Sequence, residues 1–214
     1  MTLKLAIVPV TPFEQNCSIL ICDQTNEAAI VDPGGDLDKI LDTVKELGVH
    51  VKKIWITHGH LDHCSGAQEL AEKLNVPIEG PQKEEQFWID QLPEQSQRFG
   101  FGHAKIFTPD RWLDDGDQVT IGKEIFDVYH CPGHTPGHIV FVDQQAQLAV
   151  VGDVLFAGSI GRTDFPRGNH QDLIDSIIQK LFPLGDNIAF VPGHGPMSTF
   201  GEEKSSNPYV GTNA

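Results

Sequence analysis

Apolar and polar positions along the first third of the chain predict strands interleaved with helices. Leu3 to Val10, Cys17 to Cys22 and Ala28 to Val31 are short apolar runs, the last closing on the turn signal Asp32-Pro33-Gly34. From Asp36 to Gly48 the period changes. Leu37, Ile40, Leu41, Val44 and Leu47 keep helical spacing, and Gly48 is a stop. A strand over Val51 to Ile56 follows, then a helix from Ala67 to Leu74, a strand at Val76 to Ile78 and a helical stretch from Glu84 to Gln91. Gly100, Gly102 and Pro109 break any period in the middle of the chain. From Asp117 the pattern turns to β: Val119 to Ile121, a turn at Gly122-Lys123, Ile125 to Tyr129, then Ile139 to Val142 and Leu148 to Val151 joined through Asp143 to Gln145. A helix over Gln171 to Leu181 has Asn169 as its cap. The strand Ile188 to Val191 ends in Pro192-Gly193-His194-Gly195. Mixed β and βα units of this kind predict two sheets with helices outside them.

The strand at Val51 to Ile56 delivers Thr57-His58-Gly59-His60-Leu61-Asp62-His63, three imidazoles and a carboxylate within six consecutive positions. Imidazole and carboxylate together suit borderline cations such as zinc. In an extended backbone His58 and His60 share a side, and Asp62 and His63 need a turn that Gly59 and the loop can give. Such a geometry favours two neighbouring metals over one. Other candidates also follow strands: His134 in Cys131-Pro132-Gly133-His134-Thr135-Pro136-Gly137-His138, Asp153 after Leu148 to Val151, and His194 after Ile188 to Val191. Alone, His134 would be a turn histidine and Asp153 a turn or a cap. Irregular loops on a rigid scaffold are where sites collect, so four such strand ends make one constellation. Cys64 and Cys131 flank these residues and are read as packing or supporting groups rather than ligands. His50, His103, His130, His138 and His170 are read as non-catalytic, with His130 or His138 as a support behind the ligands.

Length and charge narrow the partners. The chain has 214 residues, which suits one domain with a substantial core. Thirty acidic against fifteen basic residues give a formal charge of −15, which opposes a nucleic-acid backbone and an anionic membrane surface. Bound divalent cations would offset part of that charge locally and leave an anionic substrate acceptable. Met1 to Val10 shows no secretory pattern, no stretch is long enough to span a bilayer, and four cysteines without a paired framework point to a reducing compartment. The expectation is a cytoplasmic monomer.

In order and local context, His58, His60, Asp62, His63, His134, Asp153 and His194 resemble the seven ligands of the metallo-β-lactamase superfamily, over essentially the whole chain. That resemblance implies a four-layer αββα sandwich with metals at one edge between the sheets. It implies that His58, His60 and His134 hold one metal, that Asp62, His63 and His194 hold the other, and that Asp153 bridges them. Asp32-Pro33-Gly34-Gly35, Cys131 to His138, Gly152-Asp153-Val154-Leu155-Phe156 and Gly161-Arg162-Thr163-Asp164-Phe165 resemble glyoxalase II, the hydroxyacylglutathione hydrolases, in their short bacterial form. Long forms carry an added C-terminal helical domain that supplies basic residues for glutathione. Here only about twenty residues follow His194, among them Glu202, Glu203 and Lys204, so a single domain over residues 1–214 without that addition is expected.

The resemblance implies hydrolysis of a glutathione thioester of the S-lactoylglutathione type to a hydroxy acid and a free thiol. Zinc can lower the pKa of a bound water to about 7, and two cations about 3.5–4 Å apart can hold the resulting hydroxide and polarise a carbonyl. Asp62 would ligate one metal and orient the nucleophile or accept its proton. Zinc is expected, with iron and manganese compatible with the same donors. Arg162 has two readings: a fork for a substrate carboxylate, or a tie for the loop from Gly161 to Pro166. Lys204 and Tyr209 are tail residues that could reach the site. Other reactions fit related donor sets: a persulfide dioxygenase with mononuclear iron, or a lactonase or other metallo-hydrolase. A β-lactamase is disfavoured by the missing export signal and a nuclease by the charge. A metal-stabilised binding module without turnover is the non-enzymatic alternative.

Overall fold

The structure is a computed structural model and describes residues 3–102 and 104–212; His103 lies outside the described residues. Strands β1 (Leu3–Val10), β2 (Gln15–Cys22) and β3 (Glu27–Val31) form an antiparallel meander. Helix α1 (Leu37–Leu47) ends where Gly48 adopts φ 64° and its N–H bonds back to Lys45 O, a left-handed stop that glycine takes without strain. The chain returns as β4 (His50–Trp55), parallel to β3, and continues through α2 (Leu61–Cys64), α3 (Ala67–Leu74), β5 (Ile78–Glu79), α4 (Gln86–Ile89) and α5 (Leu92–Phe99). A second run follows: β6 (Gln118–Ile121), β7 (Glu124–His130), β8 (Ile139–Asp143), β9 (Leu148–Gly152), and the short hairpin β10 (Leu155–Phe156) with β11 (Ser159–Ile160). Helix α6 (His170–Asp175) starts where Asn169 Oδ1 accepts from Gln171 N and Asp172 N, and it widens into a π-helical turn over Ser176–Leu181. Strands β12 (Ala189–Pro192) and β13 (Ser198–Thr199) and helix α7 (Phe200–Ser206) complete it.

Two large sheets result beside the β10–β11 hairpin, one in the order β1-β2-β3-β4-β5 and the other β13-β12-β9-β8-β7-β6. Their strands alternate between two faces, and each face feeds a different core. In β2 and β3, Ile19, Ile21, Ala28 and Ile30 pack with α1 and α3 residues such as Ile40, Ala67 and Leu70. Their neighbours Leu20, Ala29 and Val31 turn inward and meet Phe126, Val128, Ile139, Phe141 and Val150 from the other sheet. On that sheet's far side Val140, Val142, Ala149 and Val151 meet Leu173, Ile177 and Phe200 from α6, the following turn and α7. Three apolar cores separate four layers, and the αββα expectation holds.

Trp55 is the keystone of the inter-sheet core. Its ring stacks on Phe141 at 5.1 Å and meets Phe126 edge-on at 5.1 Å, while its indole N–H donates to Glu79 Oε2 at 3.0 Å. That pairing satisfies the one polar group such a buried ring carries. It also fixes the end of β4, from which the histidine loop leaves. Among the described residues no helix is long and apolar enough to cross a membrane.

Most predicted elements lie within two residues of the observed ones. The expected strand at Val76 to Ile78 is instead Ile78–Glu79, because pairing with β4 begins only at Ile78 opposite Ile54. The stretch from Glu84 to Gln91 is a short 3₁₀ turn at Lys83–Glu85 followed by α4. Helices α5 and α7 and the hairpin β10–β11 lie outside the sequence expectation.

Candidate metal centre

Four strand ends converge at one edge of the sandwich, and both sheets contribute. His58, His60, Asp62 and His63 follow β4, His134 lies between β7 and β8, Asp153 follows β9, and His194 follows β12. Backbone bonds stitch the sheets here: Asn16 N donates to Gly193 O at 2.7 Å, and Ile139 N donates to Thr57 O at 2.9 Å. Gly152 takes φ 50°, and a Cβ there would meet the His138 ring and Thr57 Oγ1 at 2.7 Å. Only glycine lets the β9 end pass this close.

Four imidazoles are held in the same way. His63 Nδ1 lies 2.9 Å from Asp32 Oδ2, His134 Nδ1 2.7 Å from Arg162 O, His194 Nδ1 3.0 Å from Phe13 O, and His58 Nδ1 3.0 Å from Thr57 Oγ1. Each Nδ1–H can donate to an oxygen, which selects the tautomer whose Nε2 lone pair faces the centre. His60 is reversed. Its Nδ1 faces the centre, 3.2 Å from His58 Nε2 and 2.9 Å from His134 Nε2.

Two donor groups result, each with ligand atoms within 4.8 Å of one another: His58, His60 and His134, and Asp62, His63 and His194. Asp153 lies between them, Oδ2 3.5 Å from His134 Nε2 and Oδ1 3.4 Å from His63 Nε2. Tetrahedral zinc with bonds of about 2.0–2.1 Å would set its nitrogens about 3.3 Å apart, within a few tenths of the His60 separations. Buried His63 Nε2 and Asp153 Oδ1 have no hydrogen-bond partner, a costly condition that a cation would relieve. The residues therefore fit metal ions. A third grouping, Asp32, His58 and His63, is a support instead, since both Asp32 oxygens are already engaged by Thr57 and His63.

Burial and charge set the protonation of these groups. Burial, then the neighbouring imidazoles, holds His58 well below the ordinary histidine range. Burial and His134 do the same to His60. Burial opposes charge on His63, but the Asp153 and Asp62 carboxylates outweigh it and push the group up. Burial would raise Asp153, yet His63 and His134 hold it far below the usual carboxylate range.

The structure brings all seven predicted ligand residues together, and it shows supports behind them. Asp32 accepts from Thr57 N at 2.8 Å, Thr57 Oγ1 at 2.6 Å and His63 Nδ1. Fully buried Glu85 accepts from Gly59 N and Gly137 N, both at 2.7 Å, and so ties the His58 loop to the His134 loop. His138 stacks on His58 with centroids 4.5 Å apart and accepts from Asp153 N at 3.1 Å. His130 holds its own loop through Pro136 O. No motif marks Glu85; its role comes from reaching two backbone N–H groups far along the chain. Arg162 lies at the rim, its exposed guanidinium forked onto Asp164 at 2.9 and 2.8 Å and over the Phe165 ring at 4.5 Å. Cys64 and Cys131 are buried in the helix-side cores and belong to neither donor group. Lys204 pairs with Asp186 at 3.0 Å, and neither it nor Tyr209 lines the clefts beside the centre.

A four-layer sandwich that gathers five imidazoles and two carboxylates at the open edge of both sheets belongs to the metal-dependent hydrolases. The pattern of the metallo-beta-lactamase superfamily matches residues 10–194, and the chain belongs to that superfamily, whose members bind metals. The chain is 46% identical, over 97% of its own length and 98% of the relative's, to a Haemophilus influenzae protein named hydroxyacylglutathione hydrolase GloC. Among solved structures, BLEG-1 B3 metallo-beta-lactamase is similar at a TM-score of 0.89 and 33% identity, covering 97% of this chain and 99% of that one. TTHA1623, solved in a di-iron-bound form, is similar at 0.86 and 30%, covering 95% and 99%.

Proposed function

We propose that the protein hydrolyses glutathione thioesters of the S-lactoylglutathione type, using two divalent cations, zinc in the first place. The full-length relation to the Haemophilus protein of that name carries the substrate class. The position of Asp153 between two donor groups supports a pair of cations rather than one. The di-iron form of TTHA1623 supports iron as the second candidate.

His58, His60 and His134 would hold one cation, Asp62, His63 and His194 the other, with Asp153 between them. Such cations supply an ionised water near neutral pH and polarise the acyl carbonyl. Asp62 Oδ2 lies 3.1 Å from His194 Nε2. Burial would raise this carboxyl, but His63 and the His194 contact hold it below the usual range, so it stays a proton acceptor. It would orient the attacking water and take the proton that this water loses on ionising, then release it to solvent or to the departing sulfur once oxygen has added to the thioester carbon. The C–S bond then breaks and the sulfur leaves as thiolate. A thiol pKa of about 8.5 means that this departure needs little help from an acid, which suits a site whose other titratable groups are engaged with one another. Thr57, Asp32 and Glu85 hold the imidazoles and the loops in place throughout.

The test follows loss of thioester absorbance with S-lactoylglutathione, with metal content measured on the same sample. Turnover that a chelator abolishes and zinc restores is the expected result. A sample holding two metals per chain that leaves the thioester intact overturns the substrate.

A further inference from the structure

Helix α5 presents two unlike faces. Leu92 and Ser96 are buried, Leu92 in the core that also holds Leu61 of α2, and Ser96 with its Oγ accepting from Ala104 N at 3.2 Å. Gln91, Glu94, Gln95 and Arg98 keep the i, i+3, i+4, i+7 spacing that gathers side chains on one side of a helix. All four line a cleft of about 390 Å³, and His60 and Asp62 line the same cleft. The polar side of a surface helix ordinarily meets bulk water. This one meets the space beside the metal centre.

Two opposite charges on that face stand without a partner. On α3, Glu69 and Lys73 have the same spacing and order and form an ion pair at 2.9 Å, as such pairs usually do. Glu94 and Arg98 are both exposed, and they form no such pair. The other arginines, Arg111, Arg162 and Arg167, each engage a carboxylate. Among the described residues Arg98 engages none, and its guanidinium lies 5.6 Å from the Phe99 ring. In the neighbouring cleft the one arginine, Arg162, is already forked onto Asp164 at 2.9 and 2.8 Å.

We propose that this face of α5 binds the thiol arm of the substrate by its γ-glutamyl end. This rests on the thioesterase reading above. The γ-glutamyl end carries an α-carboxylate and an α-ammonium on one carbon, a pair of charges that Arg98 and Glu94 complement in sign. The guanidinium fork suits the carboxylate, and the Glu94 carboxylate accepts from the ammonium, which is a donor only. A neutral acyl group calls for neither charge, and a lone carboxylate for only one. Both side chains reach out of a helix whose other face is fixed in the core, so the contact sits at a set position relative to Asp62 and His60.

S-methylglutathione, a thioether with no acyl bond to break, reads this contact without turnover. In titration calorimetry on the metal-loaded protein, Arg98→Gln and Glu94→Gln are each expected to weaken its binding about fivefold, the scale of an exposed ion pair. The KM for S-lactoylglutathione should rise by a similar factor. So should the loss of selectivity, read as kcat/KM for S-lactoylglutathione over that for S-lactoyl-N-acetylcysteamine, whose thiol arm carries no charge. Weaker S-methylglutathione binding in both variants of a protein that hydrolyses neither thioester keeps the contact and rejects the thioesterase reading. Hydrolysis of S-lactoylglutathione with affinity and selectivity unchanged in both variants rejects the contact and keeps that reading. A loss confined to one variant overturns the assignment to the γ-glutamyl end, which needs both charges. Failure of S-methylglutathione to bind the wild-type protein overturns it as well.

Discussion

Asp32 Oδ2 stands 2.9 Å from Nδ1 of His63, on the side of the ring away from the donor cluster. The same oxygen accepts from Thr57 Oγ1, which in turn lies 3.0 Å from His58 Nδ1. One carboxylate therefore sets an imidazole in each donor group. Asp32→Asn is the informative change, because φ 52° at this residue is tolerated by asparagine. Its amide would present N–H to His63 Nδ1, forcing the ring proton onto Nε2, where a metal must bind. Metal affinity is expected to fall about 10–100-fold with the fold intact. Competition against a chromophoric chelator reads this directly, and an unchanged affinity would remove Asp32 from its supporting role.

How much of this was legible in the sequence depended on distance along the chain. The seven donor residues were readable because four of them share one heptapeptide and the others follow clear apolar strands. Asp32 and Glu85 were not, since each supports groups that only the fold brings near, whereas His138 was readable as a support from its place beside the His134 loop. Among elements, β1 and α3 match their predicted spans, as strong periodicity allows. Helix α5 has few apolar positions, but Pro93 in its first turn is a start signal that could have found it. Helix α7 opens with Thr199 as its cap, followed by Phe200-Gly201-Glu202, and Thr199 Oγ1 accepts from Glu202 N at 3.1 Å. That Thr-x-x-Glu spacing is a capping pattern, a start signal that the sequence does carry for this helix.

Gly193 tests how tightly the centre is packed. A Cβ there would land on Asp153 Oδ1 and come within 2.7 Å of His63 Cε1. Gly193→Ala must displace the carboxylate that stands between the two donor groups. The expected outcome is a folded protein that retains less than its full complement of metal and loses about 100-fold or more in turnover, the scale that a misplacement of about 1 Å can cost. Metal analysis alongside circular dichroism checks both halves. Full metal content with wild-type rates would mean that Asp153 need not sit where it does.

Glu85 gives a pH signature of its own. Burial pushes its carboxyl from an ordinary 4.5 up to about 7, against the backbone bonds from Gly59 and Gly137 that favour the ionised form. Between about pH 4.5 and 7 the folded protein keeps this proton while the unfolded chain gives it up. Stability from this group is therefore full below that window and declines as pH rises through it. At about 1.4 kcal/mol per unit the whole decline is on the order of 3 kcal/mol. Glu85→Gln carries no titrating proton, so its penalty for turning an amide N–H toward a backbone donor is the same at every pH. Denaturant titrations of metal-free protein at pH 5 and pH 8 should show wild type losing more stability than the variant. Parallel curves would mean that Glu85 is ionised in the folded protein throughout.

Metal removal should register in stability as well as in turnover. His63 Nε2 and Asp153 Oδ1 are buried with only each other at 3.4 Å and no well-formed hydrogen bond, and an under-satisfied buried polar atom costs up to about 1–3 kcal/mol until something pairs with it. Cations bound only by the folded state stabilise it by mass action, about 4 kcal/mol at a thousandfold excess over Kd. For a chain near 200 residues each kcal/mol moves Tm by about 2–4 °C, so chelation should lower Tm by about 10 °C. The loss should grow with the free metal concentration of the reference sample, because the linkage is logarithmic in that concentration. A Tm indifferent to chelator, in a sample shown to have released its metal, would mean that the centre is held by its protein neighbours alone. The Nδ1 contacts of His58, His63, His134 and His194 would then suffice to fix the site before any cation arrives.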